Sequence, residues 1–339
     1  MKIAVINFAL SLVIATFLVL QTNGAPNEPE IISLGPGHSL QWSPSGIVLS
    51  FVSDGRLVAY EVNRAERLDL GPFTGTEYAW VTDSQVVNMT STWNEEQQAR
   101  LVTLSYLTVS VDTNLRLDSM TTRMAKMLFP PKLLATPDAV FLLGVDSSKP
   151  VDPIANRSYV PANSTAGANP SPYLRAVSHF PVLWKGGKNV MGDTDVWLVD
   201  RTGRLSKRVT FDKEYSFAEL SPTGEFIFCT DVAGYLRIID TSGNDIAKVY
   251  GADRETWMPD GTGVVFAKLQ YEGEDLAQLV GGDLYLFTIT PESLVQLTFS
   301  PDEVEARPCV SPRGDKLAYV AHTRSELLGI KLLTIGGRP

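Results

Sequence analysis

From residue 38 onward the apolar positions fall in short runs of four to eight residues broken by polar or glycine-bearing segments, and long 3.6-residue periodicity is nearly absent. Runs such as GIVLSFVS, AVFLLGV, EFIFCTD, GVVFAKLQ and KLAYVAHT are rich in β-branched and aromatic residues, which predicts strands and little helix. Most follow a reversal signal: WSPSG at 42–46, LSPTG at 220–224, WMPDG at 257–261 and VSPRG at 310–314. Proline fixes φ at the first central turn position, and the glycine two residues later accepts a conformation other residues resist. A third run follows each pair, as in RLVAYEV, DVWLVD, YLRIID, DLYLFTIT and IKLLTI, and then a fourth, as in RAERLDL, RLSKRVT, DIAKVYG and SLVQLTF.

Aligning on the turn proline gives Pro44, Pro137, Pro222, Pro259 and Pro312, with Thr82 of AWVTDSQVV as a sixth member that lacks it. Proline makes up 21 of 339 residues, so chance does not fill such a column; it is a repeat. Four short antiparallel strands repeated six times predict an all-β chain folded as a six-bladed β-propeller. The last copy has three strands, and EIISLGPG ahead of the first turn supplies the fourth. Pairing of 31–34 with 330–335 is therefore expected, joining the last blade to the first and covering an exposed edge.

The N-terminus changes the picture of compartment. Lys2 precedes 18 uncharged residues from Ile3 to Leu20, followed by a short polar stretch that ends in small residues. This pattern predicts a secretory signal over 1–24, with an uncleaved membrane anchor as the alternative. Residues 25–339 then form one propeller domain with an insertion at about 145–194, and the chain is expected to be secreted or periplasmic. A net charge of -9 with few basic clusters disfavours nucleic acid and anionic lipid as partners. Cys229 and Cys309, the two cysteines, fall in different blades, too far apart for a disulfide.

The stretch GGDLYLFTITPESLVQLTFSPDEVEARPCVSPRGDKLAYVAHT, 281–323, resembles the propeller repeats of the TolB-like family and, more loosely, the propellers of the dipeptidyl peptidases. The likeness runs over about residues 31–335 and implies a propeller. No counterpart is expected of TolB's additional α/β domain or of the peptidases' hydrolase domain.

In a propeller the innermost strand of each blade lines the central channel, and its side chains alternate between channel and blade interior. Trp42, Trp80, Ala135, Leu220, Trp257 and Val310, two residues before the turn, are assigned to the core between blades. The alternate register places Gln41, Ala79, Leu134, Glu219, Thr256 and Cys309 in the channel, with Ser39, Glu77, Lys132, Phe217, Arg254 and Arg307 at its mouth. Glu77, Lys132, Phe217, Glu219, Arg254 and Arg307 are the candidate binding residues. Such a mixed-charge ring holds a carboxylate or an acidic loop through paired hydrogen bonds, or else pairs internally and fills the channel. Loops joining second to third strands emerge on the same face; the largest, at 145–194, ends in a half containing Tyr173, His179, Phe180 and Trp184 that is expected to fold back as a lid or meet a partner.

No nucleophile elbow, P-loop, dinucleotide fingerprint or zinc-protease helix motif occurs, and His38, His179 and His322 lack metal-ligand spacing. The acids near Asp193 to Asp195 and near Glu272 to Asp275 have calcium-like oxygen content without the loop spacing, and are read as solvated hairpin acids. The expected function is a non-catalytic scaffold that binds a protein or peptide through the loop-rich face, with no cofactor and no metal. The alternative is an exported hydrolase or lyase with Glu77 or Glu219 as base and Lys132, Arg254 or Arg307 stabilising an anion.

Overall fold

A computed structural model describes residues 31–75, 77–96, 99–111, 115–127, 132–135, 140–143, 173–177, 184–185, 188–189, 195–200, 205–212, 215–231, 233–272, 278–323 and 326–335. Every regular element among them is a β-strand. The signal-like segment 1–24 lies outside the described residues.

Four-stranded antiparallel meanders recur. The first sheet comprises His38–Trp42, Val48–Ser53, Arg56–Glu61 and Glu66–Pro72; the second comprises Glu77–Thr82, Gln85–Asn94, Ala99–Ser110 and Arg116–Met127. Lys132–Ala135 and Val140–Leu143 form a separate hairpin beside the second sheet. A third sheet of Tyr173–Val177, Trp197–Asp200 and Leu205–Arg208 lies against the fourth, which is Tyr215–Leu220, Phe226–Asp231, Tyr235–Asp240 and Asp245–Tyr250. The fifth is Ala252–Trp257, Gly263–Glu272, Gln278–Thr288 and Ser293–Gln296; the sixth is Val304–Val310, Lys316–His322, Leu327–Thr334 and Ile31–Gly35.

The N-terminal strand pairs antiparallel with the last one, Ile31 opposite Leu333 and Ile32 opposite Leu332. Its fit depends on Gly329, held at φ +113°, where a Cβ would collide with the Gly35 carbonyl oxygen. First and sixth sheets then share one apolar cluster that includes Trp42, Phe51, Tyr60, Ile330 and Leu332.

The expected third wedge is different. Val140–Leu143 does not join Trp197–Asp200; Tyr173–Val177, from inside the presumed insertion, takes that place. Residues 132–208 therefore supply two strand groups where the turn count expected one, because the five-residue YLRAV strand carries no proline turn. Trp184–Lys185 pairs with Lys188–Asn189, and His179 and Phe180 lie outside the described residues.

The turns behave as the sequence predicts and add a feature. Gly46, Gly224, Gly261 and Gly314 all have positive φ, and each donates its N–H to the carbonyl three residues earlier. The residue before the proline is a buried serine in three of them, Ser43, Ser221 and Ser311, whose hydroxyl accepts the N–H of the next strand's first residues. Turns of neighbouring sheets touch: Ser45 N–H donates to Asp83, Gly46 lies on Pro312, Gly314 on Pro259 and Gly261 on Thr223. Five sheets thus present their first turns at a common end.

The three tryptophans before those turns are buried and cross the seams. The indole N–H of Trp42 donates to the Cys309 carbonyl at 2.9 Å, that of Trp80 to Ser50 Oγ at 2.8 Å, and that of Trp257 to the Glu219 carbonyl at 3.3 Å. Each bond ties one sheet to the innermost or second strand of its neighbour; with Leu220 and Val310 also buried, the core assignment holds for the five described members of the column, and the Ala135 side chain lies outside the described residues. Gly329→Ala is expected to cost about 1–3 kcal/mol, through a strained φ and a backbone clash. Denaturant unfolding should show the loss, and amide exchange should show it concentrated at 31–35 and 327–334.

Candidate functional site

With the first turns at one end, the starts of the innermost strands, the second-to-third loops and the passages between sheets all lie at the other. The predicted mouth residues belong to this opposite face, but the register behind the two layers is interrupted in three of the innermost strands. His38 pairs with Val52 and Gln41 with Ser50, Asp253 with Ala267 and Thr256 with Val265, Ala306 with Val320 and Cys309 with Ala318. The innermost strands of the first, fifth and sixth sheets therefore each carry one extra residue at the same distance from the turn, a β-bulge, whereas the register shifts between Trp80 and Thr82 in the second sheet and between Tyr215 and Phe217 in the fourth. Ser39 and Arg307 sit in two of these bulges at φ 58° and 55°, and both are turned out to solvent. In these three strands the bulge breaks the alternation behind the layer assignment, while Glu77–Trp80 and Phe217–Leu220 keep it.

Each candidate then has its own environment. Glu77 accepts the Leu133 N–H at 2.5 Å, which ties the second sheet to the 132–143 hairpin. Phe217, 37% exposed, stacks on Phe228, which packs on Trp257. Arg307 makes no ion pair among the described residues. Lys132 and Arg254 lie in strands Lys132–Ala135 and Ala252–Trp257, and their side chains fall outside the described residues. Glu219, half-buried, acts electrostatically on Cys309. Burial pushes the Cys309 thiol up to about 12, a hydrogen bond with the Trp42 backbone opposes the rise, and the Glu219 carboxylate two sheets away adds to it. Both cysteines are free. Between the first two sheets, Gln41 Nε2 donates to the Tyr78 carbonyl at 2.5 Å and the Tyr78 hydroxyl to the Ser39 carbonyl; burial holds that hydroxyl well above its ordinary range.

Asp195 is fully buried and paired with Arg208, which corrects its reading as a solvated hairpin acid. Thr210 Oγ1 accepts the Val196 N–H at 2.8 Å and lies 3.2 Å from Asp195. The fifth sheet repeats the arrangement: Gln296 Nε2 donates to Asp283 at 3.0 Å, and Thr298 Oγ1 accepts the Leu284 N–H at 2.9 Å. This clasp holds third and fourth strands together. A single acid in a hairpin gives no sign of it; the equal spacings in DVWLVD…RVT and DLYLFT…QLT do.

Beside the second clasp, Glu305 is 1% exposed, its Oε1 accepting from Ser300 at 2.9 Å and its Oε2 without a partner. Burial raises its carboxyl, the Thr298 and Ser300 hydroxyls lower it, and Asp283 and Glu303 raise it further. A carboxyl raised in the folded state contributes full stability below its unfolded pKa and loses it as pH rises through the folded value. Glu305→Gln should therefore raise the melting temperature at neutral pH, with the advantage vanishing in acid; melting curves across pH 4 to 8 check this.

Exposed large apolar residues divide by position. Ile31, Leu117, Met120, Ile246, Leu294 and Val295 lie on outer strands. Among the described residues, the exposed aromatics Trp93, Phe211, Phe217, Tyr250, Tyr271 and Phe299 all lie at the loop-bearing face, at the ends of second or fourth strands, just beyond a fourth strand, or near the start of an innermost one, and the exposed Leu327 begins a third strand there. Sequence reasoning found Phe217 and passed over the rest, although Thr-Phe after a fourth strand recurs at 210–211 and 298–299.

No protein-family model matches the chain, and no curated protein matches it. Among solved structures it is similar to a chain of the crystal structure of the mitotic checkpoint complex, at 11% identity and a TM-score of 0.50, covering 99% of this chain and 100% of that one. It is also similar to the β-propeller domain of Cps50 (Swd1) from Myceliophteria thermophila, at 12% identity and a TM-score of 0.51, covering 90% of this chain and 98% of that one. The fold is a β-propeller. These likenesses do not single out the TolB-like family.

Proposed function

We propose that the chain is an exported, TolB-like β-propeller that binds a protein or peptide on its loop-bearing face and carries out no chemistry of its own. The observation that carries this reading is the gathering of the exposed aromatics on that face, since aromatic side chains dominate binding hot spots. Propeller neighbours favour a protein-interaction scaffold in general, and one of them is a chain of the mitotic checkpoint complex. Residues 25–339 form one domain in this reading, with Ile31–Gly35 closing the ring. The reading keeps six blades, with the 132–143 hairpin and the three-stranded sheet of 173–208, which are separate sheets, both falling where the third blade was expected.

The mouth residues keep a part in it: Arg307 and Phe217 are exposed near the aromatics, whereas Glu77 serves as a tie between sheets. That tie weakens the hydrolase or lyase alternative, which needs Glu77 or Glu219 poised as a base. Export rests on the 1–24 pattern, and the start of the mature chain tests it: an N-terminus near Ala25 is the expected result, and a retained leader would replace secretion with anchoring.

For the binding itself, photocrosslinking probes at Phe217 and Arg307 are expected to capture one partner reproducibly from the native compartment, while probes at the turn end, such as Ser45 and Thr223, capture none. Equal labelling from both ends would remove the loop-bearing face from consideration.

A further inference from the structure

Phe211, Tyr250 and Phe299 stand at three consecutive passages, from the third sheet to the fourth, the fourth to the fifth and the fifth to the sixth. They are 73%, 62% and 76% exposed, the open end of the molecule's range for aromatic residues. An exposed aromatic at one passage is unremarkable; at three in succession it forms an arc along the loop-bearing face, outside the channel mouth.

Three cations beside the arc are held by the chain: Arg208 by Asp195, with its guanidinium 4.9 Å from the Phe211 ring centre; Lys248 by Asp231 at 3.7 Å, over the Tyr235 ring that packs on Tyr250; Lys331 by Glu303 at 2.5 Å; the exposed Arg307, without an ion pair among the described residues, belongs to an innermost strand at the mouth. Exposed carboxylates lie next to the aromatics, Asp212 after Phe211 and Asp302 beyond Phe299. Asp212 accepts from the Tyr215 hydroxyl at 3.1 Å and lies 3.9 Å from Arg237, while Asp302 makes no ion pair among the described residues. The whole chain carries -9, so a second copy of it would meet repulsion at this face, and so would a nucleic acid.

Resting on the proposed binding face, we propose that the arc Phe211–Tyr250–Phe299, with Asp212 and Asp302, is a docking strip for an extended basic segment of a partner protein, one in which apolar anchors alternate with Lys or Arg. The apolar side chains would cover the Phe rings, and the cations would meet the two carboxylates and the outer faces of the aromatics. Such a strip differs from the expected channel mouth in both place and sign, since that ring was read as a site for a carboxylate or an acidic loop.

The test uses the mature full-length chain and fluorescence anisotropy with two labelled peptides of equal length, one alternating Lys and Leu, the other Glu and Leu. The Lys peptide is expected to bind about tenfold or more tightly than the Glu peptide, with affinity falling as salt rises. Phe211→Ser combined with Phe299→Ser should weaken it about tenfold or more, and Asp302→Lys should weaken it less. These side chains are exposed, and unchanged melting curves would show that the variants fold. Equal or tighter binding of the Glu peptide, or indifference of the Lys peptide to both serines, overturns the proposal. Glu-peptide binding that the serines abolish would leave the binding face standing and remove only its basic specificity. Indifference of both peptides, together with equal crosslinking from the two ends of the molecule, would remove the face as well. A concentration-dependent dimer lost in the serine variants would put a second copy on the strip and overturn the basic-partner assignment.

Discussion

A four-stranded antiparallel sheet cannot bury both of its faces alone, and in this chain the remedy is the seam between neighbouring sheets. Tryptophan or a smaller apolar residue fills each described seam near the innermost strand, and at Trp42, Trp80 and Trp257 the indole N–H finds an acceptor on the neighbouring sheet. The polar tip matters because a buried donor without a partner costs more than an ordinary hydrogen bond contributes. Shape and polarity together make each seam specific, and the turns that touch one another at the common end hold its angle.

That common end leaves the other free to vary. Once the first turns are packed against each other, insertions and exposed side chains accumulate where the inner strands begin, and the repeated bulges turn Ser39 and Arg307 outward there. The division of labour is physical: the turn end carries short loops and sheet-to-sheet contacts, while the loop-bearing end carries long hairpins and the exposed aromatics.

Local and repeated features were legible in the sequence. Proline and glycine in the turns, the tryptophans two residues ahead and the strand runs all have composition markers, and the N-terminal strand was found by counting what the last copy lacked. Other features depend on longer-range or finer choices. YLRAV at 173–177 is a strand by virtue of its partner Trp197–Asp200, inside a stretch rich in Pro, Asn and Ser. A bulge is a backbone choice at one residue, and neither Ser39 nor Arg307 announces a positive φ. Asp195 looks like any hairpin acid until its separation of 13 residues from Arg208 is set beside that of Asp283 from Gln296. Of the candidate site, Phe217 and Glu219 keep the alternation assumed for their strand, whereas the bulge at Arg307 interrupts it in a way composition does not announce.

One small contact links the fifth and sixth sheets more intimately than the seams elsewhere. Gly282 pairs in parallel with Val304, and a Cβ at Gly282 would press on Leu269 at 2.8 Å. Two sheets otherwise joined only by side chains thereby become one continuous hydrogen-bonded fabric of eight strands. Parting the two halves at this point costs backbone bonding as well as side-chain packing, a coupling that the side-chain seams lack.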